Sequence, residues 1–170
     1  MKKIIAIALL VLPAVSIANP SPFGLEIGKA TIKEVKAKYR TSNVQINNYS
    51  HGEQYNLDVK EIAFDGLQEA TVIFSPEGTL LAVTATLRKS KFDQIFNGLK
   101  NKYTLVSKKI PFVGTKGAKL VDGNTDIILN APHLGFKMTM NYVNKDLMTS
   151  YEKQLKKDQQ EKQKNEQSQL

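Results

Sequence analysis

Histidine is the usual carrier of acid–base and metal chemistry, and the chain has two, His51 and His133. Neither lies in a nucleophile motif. His51-Gly52-Glu53 offers two metal-type ligands, but a zinc site takes three protein ligands or more and the spacing supplies no third. The pair reads as a solvated turn. Asp122-Gly123-Asn124-Thr125-Asp126 imitates the opening of a calcium loop. It fails at the sixth position, where Ile127 stands for glycine, and at the twelfth, where His133 stands for the bidentate glutamate. A tight Asp-Gly hairpin accounts for the same residues. The carboxylates Glu53, Asp58, Glu61, Asp65 and Glu69 would serve glycoside hydrolysis only if two faced each other across a cleft. Exposed loop and strand-edge acids are the ordinary reading of such a stretch. With no cysteine, thiol nucleophiles, disulfides, thiolate metal sites and a cysteine-borne lipid anchor are all excluded. The sequence assigns no catalytic residue, no metal ligand and no cofactor.

Binding character is concentrated in one segment, residues 108–119. It carries Lys108, Lys109, Lys116 and Lys119, a Gly114-x-x-Gly117 turn, and Phe112 directly after Pro111. A Gly-x-x-Gly turn also clamps phosphates in some RNA-binding modules, but no RRM-like aromatic pattern accompanies it, and nucleic acid is not an expected partner. The functional expectation is an anionic component of the cell envelope: lipid head groups, lipopolysaccharide or an acidic protein face. The residues favour the plainer reading over this one: a solvated hairpin with Phe112 folded back on the core, since single surface aromatics are common. Phe136, Met138, Met140 and Tyr142 alternate with polar residues and read as core filler on one strand face.

Export is the premise of that partner class. Lys2 and Lys3 form a basic start, Ile4 to Leu12 an apolar run, and Ser16-Ile17-Ala18 a signal-peptidase site. The run is too short to span a membrane and is broken by Pro13, so cleavage between Ala18 and Asn19, with no transmembrane anchor afterwards, is expected. The product would be periplasmic or secreted. Of 170 residues, 24 are Lys or Arg and 16 are Asp or Glu. Removing Lys2 and Lys3 lowers the formal charge from +8 to +6.

The elements that must position these residues show in the periodicity. Thr31-x-x-Glu34 is a capping box that opens a helix with Ile32, Val35 and Tyr39 on one face. Alternation then predicts strands at 44–46 and 55–59, and a hairpin of 70–74 with 80–87 about a Ser75-Pro76-Glu77-Gly78 turn. Leu81, Val83, Ala85 and Leu87 share one face of it. A second helix starts at Ser90, with Asp93 as a weaker capping partner and Phe92, Ile95, Phe96 and Leu99 as its stripe. Strands follow near 104–108, 118–121, 125–129 and 136–142, and Asn144 caps a third helix bearing Leu147, Met148, Tyr151 and Leu155. Residues 156–170 are a polar tail expected to be disordered. Val35-Lys36-Ala37-Lys38-Tyr39 recurs as Leu99-Lys100-Asn101-Lys102-Tyr103, each copy ending a helix. One domain over 19–155 with two related halves, 19–89 and 90–143, is therefore expected.

Phe23-Gly24-Leu25-Glu26-Ile27-Gly28, followed by Thr31-x-x-Glu34-Val35, resembles the opening of the small outer-membrane assembly lipoproteins and of the beta-lactamase inhibitory proteins. Gly28 to Thr31 is one residue longer than their commonest spacing, the helix ends in Lys-Tyr rather than Leu-Gly, and the lipid-bearing cysteine is missing. The resemblance implies an α+β fold, an antiparallel sheet with helices on one face, and no particular partner. The resulting expectation is a non-enzymatic exported protein that binds a macromolecule, as an envelope accessory factor or an inhibitor of a secreted enzyme. A small-ligand or lipid-binding module, with its pocket between sheet and helices, is the alternative. A hydrolase with an unrecognised site comes third.

Overall fold

The computed structural model describes residues 19–169, so the leader expected over 1–18 lies outside the described residues. Helix α1 (Ile32–Lys38) begins as its capping box dictates. Thr31 Oγ1 accepts the Glu34 N–H at 3.3 Å, and the Glu34 carboxylate accepts the Thr31 N–H at 2.7 Å. Strands β1 (Thr41–Ile46), β2 (Glu53–Leu57), β3 (Leu67–Phe74) and β4 (Leu80–Arg88) then run up and down. The same order follows with α2 (Phe92–Lys100), β5 (Thr104–Lys109), β6 (Lys116–Asp122), β7 (Thr125–Ala131) and β8 (Lys137–Asn144), before α3 (Lys145–Gln167). All pairings are antiparallel, and the strands form one 8-stranded sheet in the order β1-β2-β3-β4-β8-β7-β6-β5. The class is α+β. Among the described residues no helix is long and apolar enough to cross a membrane.

The main core lies between the sheet and the two helices. Val35 and Tyr39 from the first helix, and Phe92, Ile95, Phe96 and Leu99 from the second, pack with Tyr55, Val72, Phe74, Leu120, Leu129, Met138 and Met140 from the strands. The α2 stripe read from the sequence is therefore buried as a unit. Its start differs: a 3-10 turn at Lys89–Lys91 leads in, without a side-chain cap, and Asp93 turns instead to Lys116. A smaller cluster of Ala82, Val143 and Leu147, with Leu81, Ile73, Tyr49 and Met148 against it, occupies the other sheet face under the first turns of α3.

Two face assignments differ from strict alternation. The register slips between Ile73 and Phe74, so Leu80 pairs with Phe74 and enters the main core while Leu81 goes to the smaller cluster. Val83, Ala85 and Leu87 keep the expected face. Phe136 is not core at all. It precedes β8, which opens with Lys137 paired to Arg88, and Gly135 at φ 110° turns the chain just before it. Met138, Met140 and Tyr142 are buried as expected.

The sheet is open at both edges. β1 and β5 are mostly exposed, and each carries a register break, at Ser42/Gln45 and at Leu105/Ser107. Such bulges discourage strand-to-strand association. α3 continues to Gln167 where polarity predicts a disordered tail. Its outer residues are exposed and bury nothing, but they include no glycine or proline. Lys, Gln and Glu are good helix formers, and Gln154 donates to Asp158 one turn on at 2.8 Å.

Candidate functional site

Strand register decides which loops share an end of the sheet. Arg88 pairs with Lys137, Lys116 with Ala131, and Lys109 with Gly117. The 110–115 loop, the 132–136 loop and the 89–91 connector therefore project together. They are tied to one another. His133 N–H donates to Thr115 Oγ1 at 3.2 Å, and Lys89 N–H to the Phe136 carbonyl at 2.8 Å. Lys89 Nζ also donates to the carbonyls of Pro132 and His133.

What these tied loops carry outward is apolar. Phe112 is fully exposed, Phe136 is 92% exposed, Leu134 84% and Val113 68%. The alternative in which Phe112 folds back on the core does not hold. These bulky apolar side chains stand exposed on neighbouring loops at one end of the sheet.

The four lysines are divided. Lys108 and Lys109, at the end of the edge strand, are exposed and enter no ion pair among the described residues. Lys116 reaches Asp93 on α2 at 3.2 Å and lies 5.5 Å from the Phe92 ring centroid. Lys119 pairs with the buried Asp126 at 2.8 Å. The structure thus brings Lys108, Lys109 and Phe112 to the loop end, and turns Lys116 and Lys119 to structural partners. It adds Val113, Leu134 and Phe136, which sequence reasoning missed. For Leu134 and Phe136 the signal was there in Pro132-His133-Leu134-Gly135-Phe136, where a proline and a glycine flanking the apolar residues mark a turn.

A concavity of about 500 Å³ lies between α2 and the segments 21–23 and 62–64. Its inner wall includes the buried Tyr39, Ile95, Leu99, Met140 and Tyr142, with the half-buried Tyr103 beside them. The Tyr103 and Tyr142 rings meet edge to face at 6.3 Å. Burial pushes the Tyr142 phenol far above its ordinary range, and the neighbouring Tyr103 adds to the effect. Burial also raises Tyr103, helped by Asp122, and raises Tyr39, helped by Glu61. At the rim Phe23 and Phe64 meet edge to face at 5.7 Å. Phe23 holds a left-handed backbone, φ 53° and ψ 24°, which is strained for a bulky residue.

The chain matches no family model, no curated protein and no solved structure.

Proposed function

We propose that the chain is a non-enzymatic, exported binding protein that recognises an anionic macromolecular component of the cell envelope through the paired loops 110–115 and 132–136. One observation carries the reading: Phe112 and Phe136 stand almost fully in solvent on loops that are hydrogen-bonded into place. Holding bulky apolar groups out on ordered loops has a purpose when a partner covers them. An envelope accessory factor and an inhibitor of a secreted enzyme are the two forms such a binder takes. Its two histidines give catalysis little support, since His51 lies in the β1–β2 turn and His133 in the β7–β8 loop, at opposite ends of the sheet.

Magnitudes divide the work between charge and burial. A lysine beside an anionic surface contributes about 1 kcal/mol. Lys108 and Lys109 together then fall well short of the roughly 8 kcal/mol that micromolar affinity requires. Burial of Phe112, Phe136 and Leu134 has to supply most of the rest, with the lysines steering the encounter.

Affinity capture from an envelope extract tests this with three baits. Lys108→Glu/Lys109→Glu should capture less partner at low salt, and the deficit should shrink as the Debye length falls from about 10 Å at 0.1 M to 3 Å at 1 M. Phe112→Ala/Phe136→Ala should capture less at every salt concentration. Equal capture by all three, with unchanged thermal melts, would leave the loops as solvated hairpins.

A further inference from the structure

The concavity beside α2 holds a glycine that the fold itself does not explain. Gly98 lies inside the helix, where glycine is the poorest residue after proline. A Cβ built there meets no atom within 4 Å, so no neighbour demands its absence. The space over it is the concavity, and Gln94 and Lys102, one turn to either side, line the same opening. The opposite rim is Phe23, whose strained backbone is held by its neighbours. Gly98 leaves one wall unfilled, and Phe23, packed against the core and edge to face with Phe64, fixes the wall opposite.

The chemistry of the walls selects what fits. Tyrosine, isoleucine, leucine and methionine side chains form the interior, and among the described residues Lys102 is the one charged side chain lining it. Its ammonium enters no ion pair among the described residues. A volume of about 500 Å³ falls within the usual range for small-molecule sites. We infer that this cleft binds a small amphiphile, with its apolar body over Gly98 between α2 and Phe23 and its anionic group against Lys102. The inference goes beyond the loop-mediated binding proposed above and shares no residue with it.

Calorimetric titration of the purified protein with decanoate and with decanol, both below any micelle-forming concentration, tests the assignment. The parent should bind decanoate saturably and more tightly than decanol. Lys102→Gln should weaken decanoate roughly tenfold, as loss of a charged hydrogen bond does, and leave decanol unchanged. Gly98→Leu, whose side chain enters open space, should weaken both ligands by roughly tenfold or more while the fold persists. Gly98→Gln provides a second blocking variant, from a better helix former. Gly98→Ala should raise the melting temperature, since the position is helical and unobstructed. The Phe112→Ala/Phe136→Ala protein should bind decanoate like the parent, which separates this site from the loops. The inference is overturned if the parent shows no saturable decanoate binding, if the blocking variants bind as the parent does, or if Gly98→Ala lowers the melting temperature. Equal affinity for decanol and decanoate, unaffected by Lys102→Gln, would overturn the anionic class.

Discussion

The Tyr39 hydroxyl, at the end of α1, donates to the Phe23 carbonyl oxygen at 2.7 Å. Lys38 Nζ donates to the same oxygen at 3.1 Å and to the Gly24 carbonyl at 3.2 Å. Two successive residues of the helix terminus thus hold the turn in which Phe23 adopts its left-handed backbone. That conformation costs on the order of 1 kcal/mol, comparable to one hydrogen bond, so either contact can offset it while the other is lost.

Removing one of them should therefore be mild. Tyr39→Phe should cost about 0.5–1 kcal/mol in urea unfolding, because Lys38 still satisfies the carbonyl. Tyr39→Phe/Lys38→Met should cost more than the two single changes combined, since only the double variant leaves that oxygen without a protein donor. Strict additivity would show that the two contacts do not act on a shared conformation.

The core and the outer part of α3 give opposite expectations. Phe96 is buried and its ring stacks on Phe92, with centroids 6.2 Å apart. Phe96→Ala should cost roughly 3–5 kcal/mol through lost transfer energy and the cavity left behind. Residues 157–169 are all exposed, so truncation after Lys156 should leave the melting temperature nearly unchanged, with a loss of helical circular-dichroism signal. Comparable destabilisation by the two changes would mean that the distal helix packs on something.

Local rules made much of this architecture readable in advance. Thr31 and Glu34 declare a helix start through contacts only three residues long, and Phe92, Ile95, Phe96 and Leu99 declare a buried face through spacing alone. Lys116 and Lys119 were illegible because their partners, Asp93 and Asp126, reach them through packing against α2 and through the β6–β7 pairing. The cleft was illegible for the same reason, since segments near 22, 63, 98 and 141 meet only in the folded chain. Leu81 and Phe136 misled because alternation carries no mark of where a strand slips register or begins.

Tyr55 carries a buried hydroxyl with no hydrogen-bond partner among the described residues, in a ring set edge to face against Phe74 at 5.8 Å. Tyr55→Phe keeps the ring and removes the unsatisfied group, whose desolvation penalty is about 1–3 kcal/mol. A small void offsets part of the gain, and the variant should be more stable by about 1 kcal/mol in chemical denaturation. A less stable variant would indicate that an ordered water meets the hydroxyl.

Alkali should weaken the fold through its cleft tyrosines. The phenols of Tyr39, Tyr103 and Tyr142 are all pushed up, Tyr142 the furthest. In the unfolded chain each ionises near pH 10. Between that pH and the raised folded values, the folded protein retains protons that the unfolded chain has lost. Stability therefore falls as pH rises through this window and is unaffected below it. Tyr142→Phe removes the largest contribution, so its urea midpoint should drop less than the parent's between about pH 8 and pH 11. An equal drop would assign the alkaline loss to other groups.

Among the described residues one strand pairing, β4 with β8, joins the two helix-and-meander halves; every other pairing links neighbours in sequence. If that seam parts while the 89–91 connector straightens, β4 of one molecule offers β8 of another the same antiparallel register it offered its own. A swapped dimer could then rebuild each strand pairing of the monomer. Such a swap would exchange a whole half, and the hydrogen bonds from Lys89 to the 132–136 loop would lie at its hinge.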